Sequence, residues 1–244
     1  AESPVQRDLI WVGSDDGLVH MTRDGGKSWK NLTAGLKGIP EWGTIRMVEP
    51  SRYEAGTAYV VVDNHRLDDV KPYLYRTTDF GETWQRLDAS LPQDVYLHAV
   101  REDPVNRHII YLGTERGVSY SIDGGKSWKR LKLNLPTVAV HDLAIKGDTL
   151  VVGTHGRSIW AFDHLNILRG LTSEVQSLPA HLFPVADATR WQFNRGPGDK
   201  FAGQNPANGA VISYWLKEQP KGDISIEIVD DAGRRVASLS SKRR

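Results

Sequence analysis

The chain has 244 residues, and at roughly 100 to 200 residues per domain it holds one large domain or one and a half. It has no cysteine, which excludes disulfides, thiolate metal sites and a cysteine nucleophile together. Lys+Arg 31 against Asp+Glu 30 leaves a net charge of +1, which argues against a broad grip on nucleic acid or anionic lipid, and no apolar run approaches the roughly 20 residues of a membrane helix.

The N-terminus lacks the charged, apolar and small-residue order of a signal peptide. The first element is the apolar run Ile10-Trp11-Val12-Gly13-Ser14, and residues 9–32 read as three strands, the second to fourth of a four-stranded unit. Residues 44–48, 58–62, 73–76 and 84–87 form a complete set of four, and 95–100, 109–112, 118–121 and 128–131 form another. Runs at 140–145, 150–152 and 159–162 supply three more without a clear fourth. Beyond residue 170 the composition changes: 171–209 reads as a loop-rich linker, with aromatic pieces at 181–184 and 190–193 and turn clusters at 196–199 and 205–209. Alternating strands follow at 210–216, 224–229 and 235–239, the last two joined by the turn Asp230-Asp231-Ala232-Gly233, before a frayed tail at 242–244.

Tryptophan is over-represented, at 8 residues, and three of the eight end the same octapeptide. The copies are Thr22-Arg23-Asp24-Gly25-Gly26-Lys27-Ser28-Trp29, Thr77-Thr78-Asp79-Phe80-Gly81-Glu82-Thr83-Trp84 and Ser121-Ile122-Asp123-Gly124-Gly125-Lys126-Ser127-Trp128. The Asp and the Ser/Thr two before it are placed to accept hydrogen bonds from backbone N–H groups of their own turn, the glycine supplies positive φ, and the Trp packs on the hairpin it closes. This makes Asp24, Asp79 and Asp123, with Gly26, Gly81, Gly125, Trp29, Trp84 and Trp128, structural staples. A calcium loop is a poor alternative, because each repeat has one carboxylate where such loops need several.

The pattern S/T-x-D-x-G-x-S/T-W resembles the Asp-box, or bacterial neuraminidase repeat, of sialidases, xyloglucanases and sortilin-type receptor domains. That resemblance implies an all-β chain of β-propeller blades. Residues 153–160 and 201–210 resemble the last blade and following linker of large secreted bacterial proteins of glycosyl-hydrolase-like or sortilin-like type. Together these imply about three and a half to four blades over 1–170, a linker over 171–209 and a β segment over 210–244 resembling the start of an immunoglobulin-like sandwich, which needs about 7 strands. An arc of this size exposes strand edges. The preferred reading is a slice of a longer chain rather than a self-closing small propeller; a partner or self-association are the other ways to complete the ring.

Strand direction alternates, so the Asp-boxes share one face of the propeller with the turns that join first and second strands. The opposite face collects the candidate chemistry. Asp63, Asp68, Asp69, Glu115 and Asp142 are the catalytic candidates, since glycoside hydrolysis needs two carboxyl groups about 5–9.5 Å apart. His65, Arg66, Arg116, His141, His155, Arg157, Trp42 and Tyr96 are candidates for binding substrate, with Asp15, Asp16 and His98 nearby. The 63–69 stretch is the best functional loop, being longer than its counterparts and rich in charge. Adjacent strand residues point to opposite faces, so one of His141 and Asp142 faces a neighbouring blade. The arginine contexts do not match a sialidase site, and no spacing supports a metal site or a cofactor. Two function classes stand: a secreted, periplasmic or cell-surface propeller acting on or recognising polysaccharide, including as a glycoside hydrolase, and a non-catalytic sortilin-like peptide- or glycan-binding scaffold.

Overall fold

The computed structural model describes residues 1–132, 134–188 and 209–242. It divides into two units, Ala1–Arg169 and Gly170–Arg244.

The first unit is a set of antiparallel β-sheets, the blades of a partial propeller. β1 (Ile10–Gly13), β2 (Val19–Thr22) and β3 (Lys30–Asn31) form the first sheet. Its inner edge is not bare: Ala1 and Ser3 exchange backbone hydrogen bonds with Trp11 and Leu9, so residues 1–3 run where a first strand belongs. β4 (Thr44–Pro50), β5 (Ala58–Asn64), β6 (Asp69–Thr77) and β7 (Gln85–Arg86) form the second sheet in sequential order. β8 (Leu97–Glu102), β9 (Ile110–Thr114), β10 (Gly117–Ser121) and β11 (Lys129–Leu131) form the third. β12 (Val140–Lys146), β13 (Thr149–Thr154) and β14 (Ile159–Phe162) form the fourth, and the chain then enters helix α1 (Leu165–Gly170).

The two-residue period of each strand divides its side chains between the cores on either side. In β5, every residue of which is buried, Ala58, Val60 and Val62 pack with Leu9, Trp11 and Val19 of the first sheet. Tyr59 and Val61 turn the other way and pack with Leu97, Ile110 and Leu112 of the third. Ala99 and Tyr111 then join Val140, Leu143 and Leu150 of the fourth. Close approach between sheets needs small residues at one place: a Cβ on Gly113 would lie 2.5 Å from the Val140 carbonyl oxygen, and one on Gly13 would lie 2.1 Å from Ile45 Cγ2.

All three octapeptides fold alike. Thr22 Oγ1, Thr77 Oγ1 and Ser121 Oγ accept from the amides of Gly26, Gly81 and Gly125 at 2.8–2.9 Å. The carboxylates of Asp24, Asp79 and Asp123 each accept from the amide of the Ser or Thr four residues on, at 2.9 Å. The three glycines have φ of 95°, 82° and 89°. The tryptophans do more than close their own hairpins. Trp84 Nε1 donates to Gly81 O at 3.1 Å while its ring meets Trp11 of the preceding sheet edge-on, at 6.4 Å between centroids. Trp128 Nε1 donates across to Leu87 O at 2.7 Å. A Cβ on Gly81 would lie 2.4 Å from Leu32 Cδ1, and one on Gly125 would lie 2.8 Å from Leu87 Cδ1, so the residues that end the preceding repeats leave no room for a side chain there. The Asp-box is thus a joint between blades, and Trp29, on the first sheet, is 46% exposed.

In the second unit, α2 (Ser173–Ser177) is capped by Thr172, whose hydroxyl accepts from the Val175 amide. β15 (Ala180–Leu182) pairs with β16 (Tyr214–Leu216), and β17 (Ser225–Val229) pairs with β18 (Arg235–Ser240) around the expected turn at Asp230 and Gly233. Part of the stretch read as linker is therefore a strand, because its residues find partners far along the chain, Ala180 opposite Leu216 and Leu182 opposite Tyr214. The described residues hold two two-stranded ladders and no immunoglobulin-like sandwich. The sequence features at 190–193, 196–199, 201–208 and 243–244 lie outside the described residues.

Candidate functional site

A cavity of about 620 Å³ opens at the inner-strand ends opposite the Asp-boxes. Equivalent positions of successive blades build it. The end of each second strand or the turn after it contributes Asp15, Asp63, Glu115 and His155, and the start of each inner strand contributes Thr44, Tyr96 and Ala139. The backbone repeats as well: the Glu115 amide donates to Tyr96 O at 3.1 Å and the His155 amide to Ala139 O at 2.9 Å.

Arg46, His98 and His141 line the same cavity for a further reason. Each inner strand pairs regularly with its neighbour except at one register shift, between Ile45 and Met47, Leu97 and Ala99, and Val140 and Asp142. The residue left over at each shift is Arg46, His98 or His141. The bulge breaks the strand's alternation, so Leu97 and Ala99 serve different cores and the residue between them projects toward the channel. His141 and Asp142 accordingly part company: His141 enters the cavity, and Asp142 pairs with Arg101 of the third sheet at 2.9 Å.

Five rings run through the cavity in contact. His65 stacks on Tyr96 at 4.5 Å and 13°, and Tyr96 meets His98 at 5.1 Å and 66°. His98 lies 4.3 Å from His141, which lies 4.9 Å from His155. Two carboxylates are held by these rings. Asp63 receives His65 Nδ1 at 2.7 and 2.8 Å, and Glu115 receives His98 Nε2 at 2.9 Å. Burial opposes ionisation of Glu115, but hydrogen bonds from His98 and Tyr96 outweigh it and hold its carboxyl below the usual range. Burial, then the hydrogen bond to Glu115, pushes the Tyr96 hydroxyl up to about 12. His98 is lowered by burial against the pull of Glu115, and His141 is lowered by burial and then by His98, Arg46 and His155. Among the described residues no three His, Cys, Asp or Glu side chains converge closely enough to hold a metal ion.

Asp63, His65, Arg66, Tyr96, Glu115, His141 and His155 therefore meet in one cavity. The other candidates lie elsewhere. The expected 63–69 loop is shorter than its spacing suggests, because β5 and β6 extend into it and leave one 3-10 turn, His65–Leu67. Asp68 closes that turn in the left-handed region at φ 62°, and Asp69 accepts from the Tyr73 hydroxyl at 2.6 Å. Arg116 pairs with Asp94 at 2.8 Å, and Arg157 sits in an exposed turn whose carbonyl accepts from Trp160 Nε1. Trp42 is 66% exposed, outside the cavity. Arg46 is the charged cavity residue that reading blade by blade missed. Its signal is visible only in register: Ile45-Arg46, Leu97-His98 and Val140-His141 place an aliphatic and then a basic residue at one position of three inner strands.

Fold and cavity together define an Asp-box β-propeller with a ligand-sized opening on the face away from its Asp-boxes. A family model, Sortilin-Vps10 (sortilin, neurotensin receptor 3), matches residues 17–140, just over half of the chain, and the chain belongs to that family. The oligoxyloglucan-reducing end-specific xyloglucanase of Emericella nidulans is 30% identical over 119 residues, which is 46% of this chain and 14% of that protein. The solved GH74 xyloglucanase of Xanthomonas campestris superposes with a TM-score of 0.51 at 20% identity, over 65% of this chain and 26% of its own. An ancestral GH74 enzyme superposes with a TM-score of 0.52 at 18% identity, over 99% and 32%. At such identities the structural likeness is one of fold, and the chain spans a third or less of each of these proteins.

Proposed function

We propose that this propeller recognises a polysaccharide in the cavity opposite its Asp-boxes, without cleaving it. The observation that carries the reading is the run of five contacting rings flanked by Asp15, Asp63, Glu115 and Arg46. Ring faces suit the C–H surfaces of sugars, and the polar groups beside them suit hydroxyls. The partial similarity to a xyloglucanase supports the ligand class. Hydrolysis needs one carboxyl kept protonated as general acid. Glu115 is held ionised instead, the Asp63 carboxylate is engaged by the ring and amide of His65, and Asp68, Asp69 and Asp142 lie outside the cavity. A polysaccharide ligand goes with a secreted, periplasmic or cell-surface location.

The test is a panel of soluble polysaccharides, scored both for retention and for release of reducing ends, with the unaltered chain and with Glu115→Gln. Retention without release supports recognition. Release that disappears in Glu115→Gln overturns it in favour of a glycoside hydrolase. Membership of the Sortilin-Vps10 family favours a second reading, peptide recognition on the same face. Retention of peptides from a random library with no glycan retained would establish that reading instead.

A further inference from the structure

The charges of the cavity are unevenly matched. Asp63 and Glu115 already hold His65 and His98. Arg46, His141 and His155 make no side-chain hydrogen bond or ion pair among the described residues, although all three line the cavity. The bulges of three neighbouring inner strands aim Arg46, His98 and His141 at one place, and His155 meets His141 from the adjoining turn. Of the charged groups that act on His141, His98, Arg46 and His155 are basic and only Glu115 is acidic, and Glu115 is engaged by His98. Asp15, at the first-sheet end of the cavity, forms no ion pair with Arg46 among the described residues. Arg46 is thus a guanidinium with no carboxylate partner among the described residues, in a cavity it shares with His141 and His155. An unpaired guanidinium offers two parallel N–H groups, the geometry that a planar carboxylate accepts.

Resting on the polysaccharide reading above, we infer that the cavity selects an acidic sugar: the carboxylate of a uronic acid residue sits on Arg46, with His141 and His155 donating beside it, while Tyr96 and His65 carry the neutral part of the chain. An anion there stabilises the protonated form of His141, so binding near neutral pH takes up a proton.

The test uses trigalacturonate, the same trisaccharide with its carboxylates reduced to alcohols, and a neutral xyloglucan oligosaccharide, each titrated calorimetrically in two buffers of different ionisation enthalpy. The expected result is that trigalacturonate binds with proton uptake and that the reduced trisaccharide binds at least about tenfold more weakly, as the loss of a charge-assisted pair implies. Arg46→Gln should weaken trigalacturonate far more than the reduced trisaccharide, bringing the two affinities to within about threefold of each other. Arg46 is exposed, so the variant is expected to fold, which an unchanged melting temperature checks. Equal binding of the acidic and reduced sugars would overturn the inference and leave the polysaccharide reading intact. Failure of all three sugars to bind would overturn both.

Discussion

The two ends of each blade are built from the same strands and follow opposite rules. At the Asp-box end, three turns repeat the same hydrogen bonds within 0.1 Å, from the Ser/Thr hydroxyl to the glycine amide and from the Asp carboxylate to the Ser/Thr amide. At the other end one backbone hydrogen bond recurs in the third and fourth sheets, at 3.1 and 2.9 Å, while the side chains at one equivalent position read Asp15, Asp63, Glu115 and His155. Uniform side chains on a uniform backbone serve the joints between blades. Varied side chains at equivalent backbone positions form a surface whose chemistry differs from blade to blade, although Asp63 also accepts from the His65 amide of its own turn at 3.0 Å.

This contrast is open to attack, beginning with the buried anchor at the Asp-box end. Asp103, with no exposed side-chain surface, holds Arg169 at 3.0 Å and also accepts from the amides of Val105 and Asn106. Arg169→Ala leaves a buried carboxylate without its cation and should cost about 3–5 kcal/mol, read from denaturant unfolding. Gly113→Ala is the next largest. Its Cβ meets backbone at 2.5 Å, so the Val140–Lys146 strand must shift, at about 1–3 kcal/mol. Because that strand carries His141, ligand retention should fall together with stability. Loss of stability with full retention would show that the two ends are less coupled than the geometry implies.

Acid should act on the two ends in separate stages. His98 and His141 lie below their ordinary value of 6.5, so unfolding lets them take up protons that the fold refuses. Stability should therefore begin to fall as pH drops through about 6.5, and continue falling toward the lower folded values. The Asp-box carboxylates are shifted down from 3.8, Asp24 and Asp79 by hydrogen bonds from Ser28 and Thr83. In Asp123 such bonds outweigh the effect of burial. Their contribution is complete above 3.8 and is lost as pH falls below it. Melting temperature against pH should show both stages, the first weakened in His98→Gln and the second in Asp79→Ala. The smallest expected effect is on the stability of Arg46→Gln, within about 0.5 kcal/mol, since an exposed side chain without partners has little to lose.

Much of the first unit was legible from the chain alone. The four strand groups, the missing fourth strand of the last sheet and the Asp-box turns all follow from short-range patterns, in which apolar runs end in turn residues. The face that carries the cavity followed from strand direction. The joint made by the Asp-box tryptophans was less legible, since Trp84 and Trp128 reach the preceding blade through contacts that no local pattern announces. The second unit was harder still, because β15 finds β16 across a long separation and both strands are short.

The candidate site divides along the same line. Residue type and turn position marked Asp63, His65, Glu115, His141 and His155 from sequence. Those criteria did not separate them from Asp69, Arg116 and Asp142, whose partners Tyr73, Asp94 and Arg101 take them elsewhere, or from Asp68, which closes an exposed turn. Arg46 and the central role of His98 depend on the bulges. A bulge is a mismatch between two strands, set by how each inner strand packs against the sheets on either side, so neither strand encodes it alone. Local sequence determined the blades and their staples through turn chemistry and two-residue periodicity. Tertiary packing decided which basic side chain of each inner strand turns toward the channel, and so what the cavity offers a ligand.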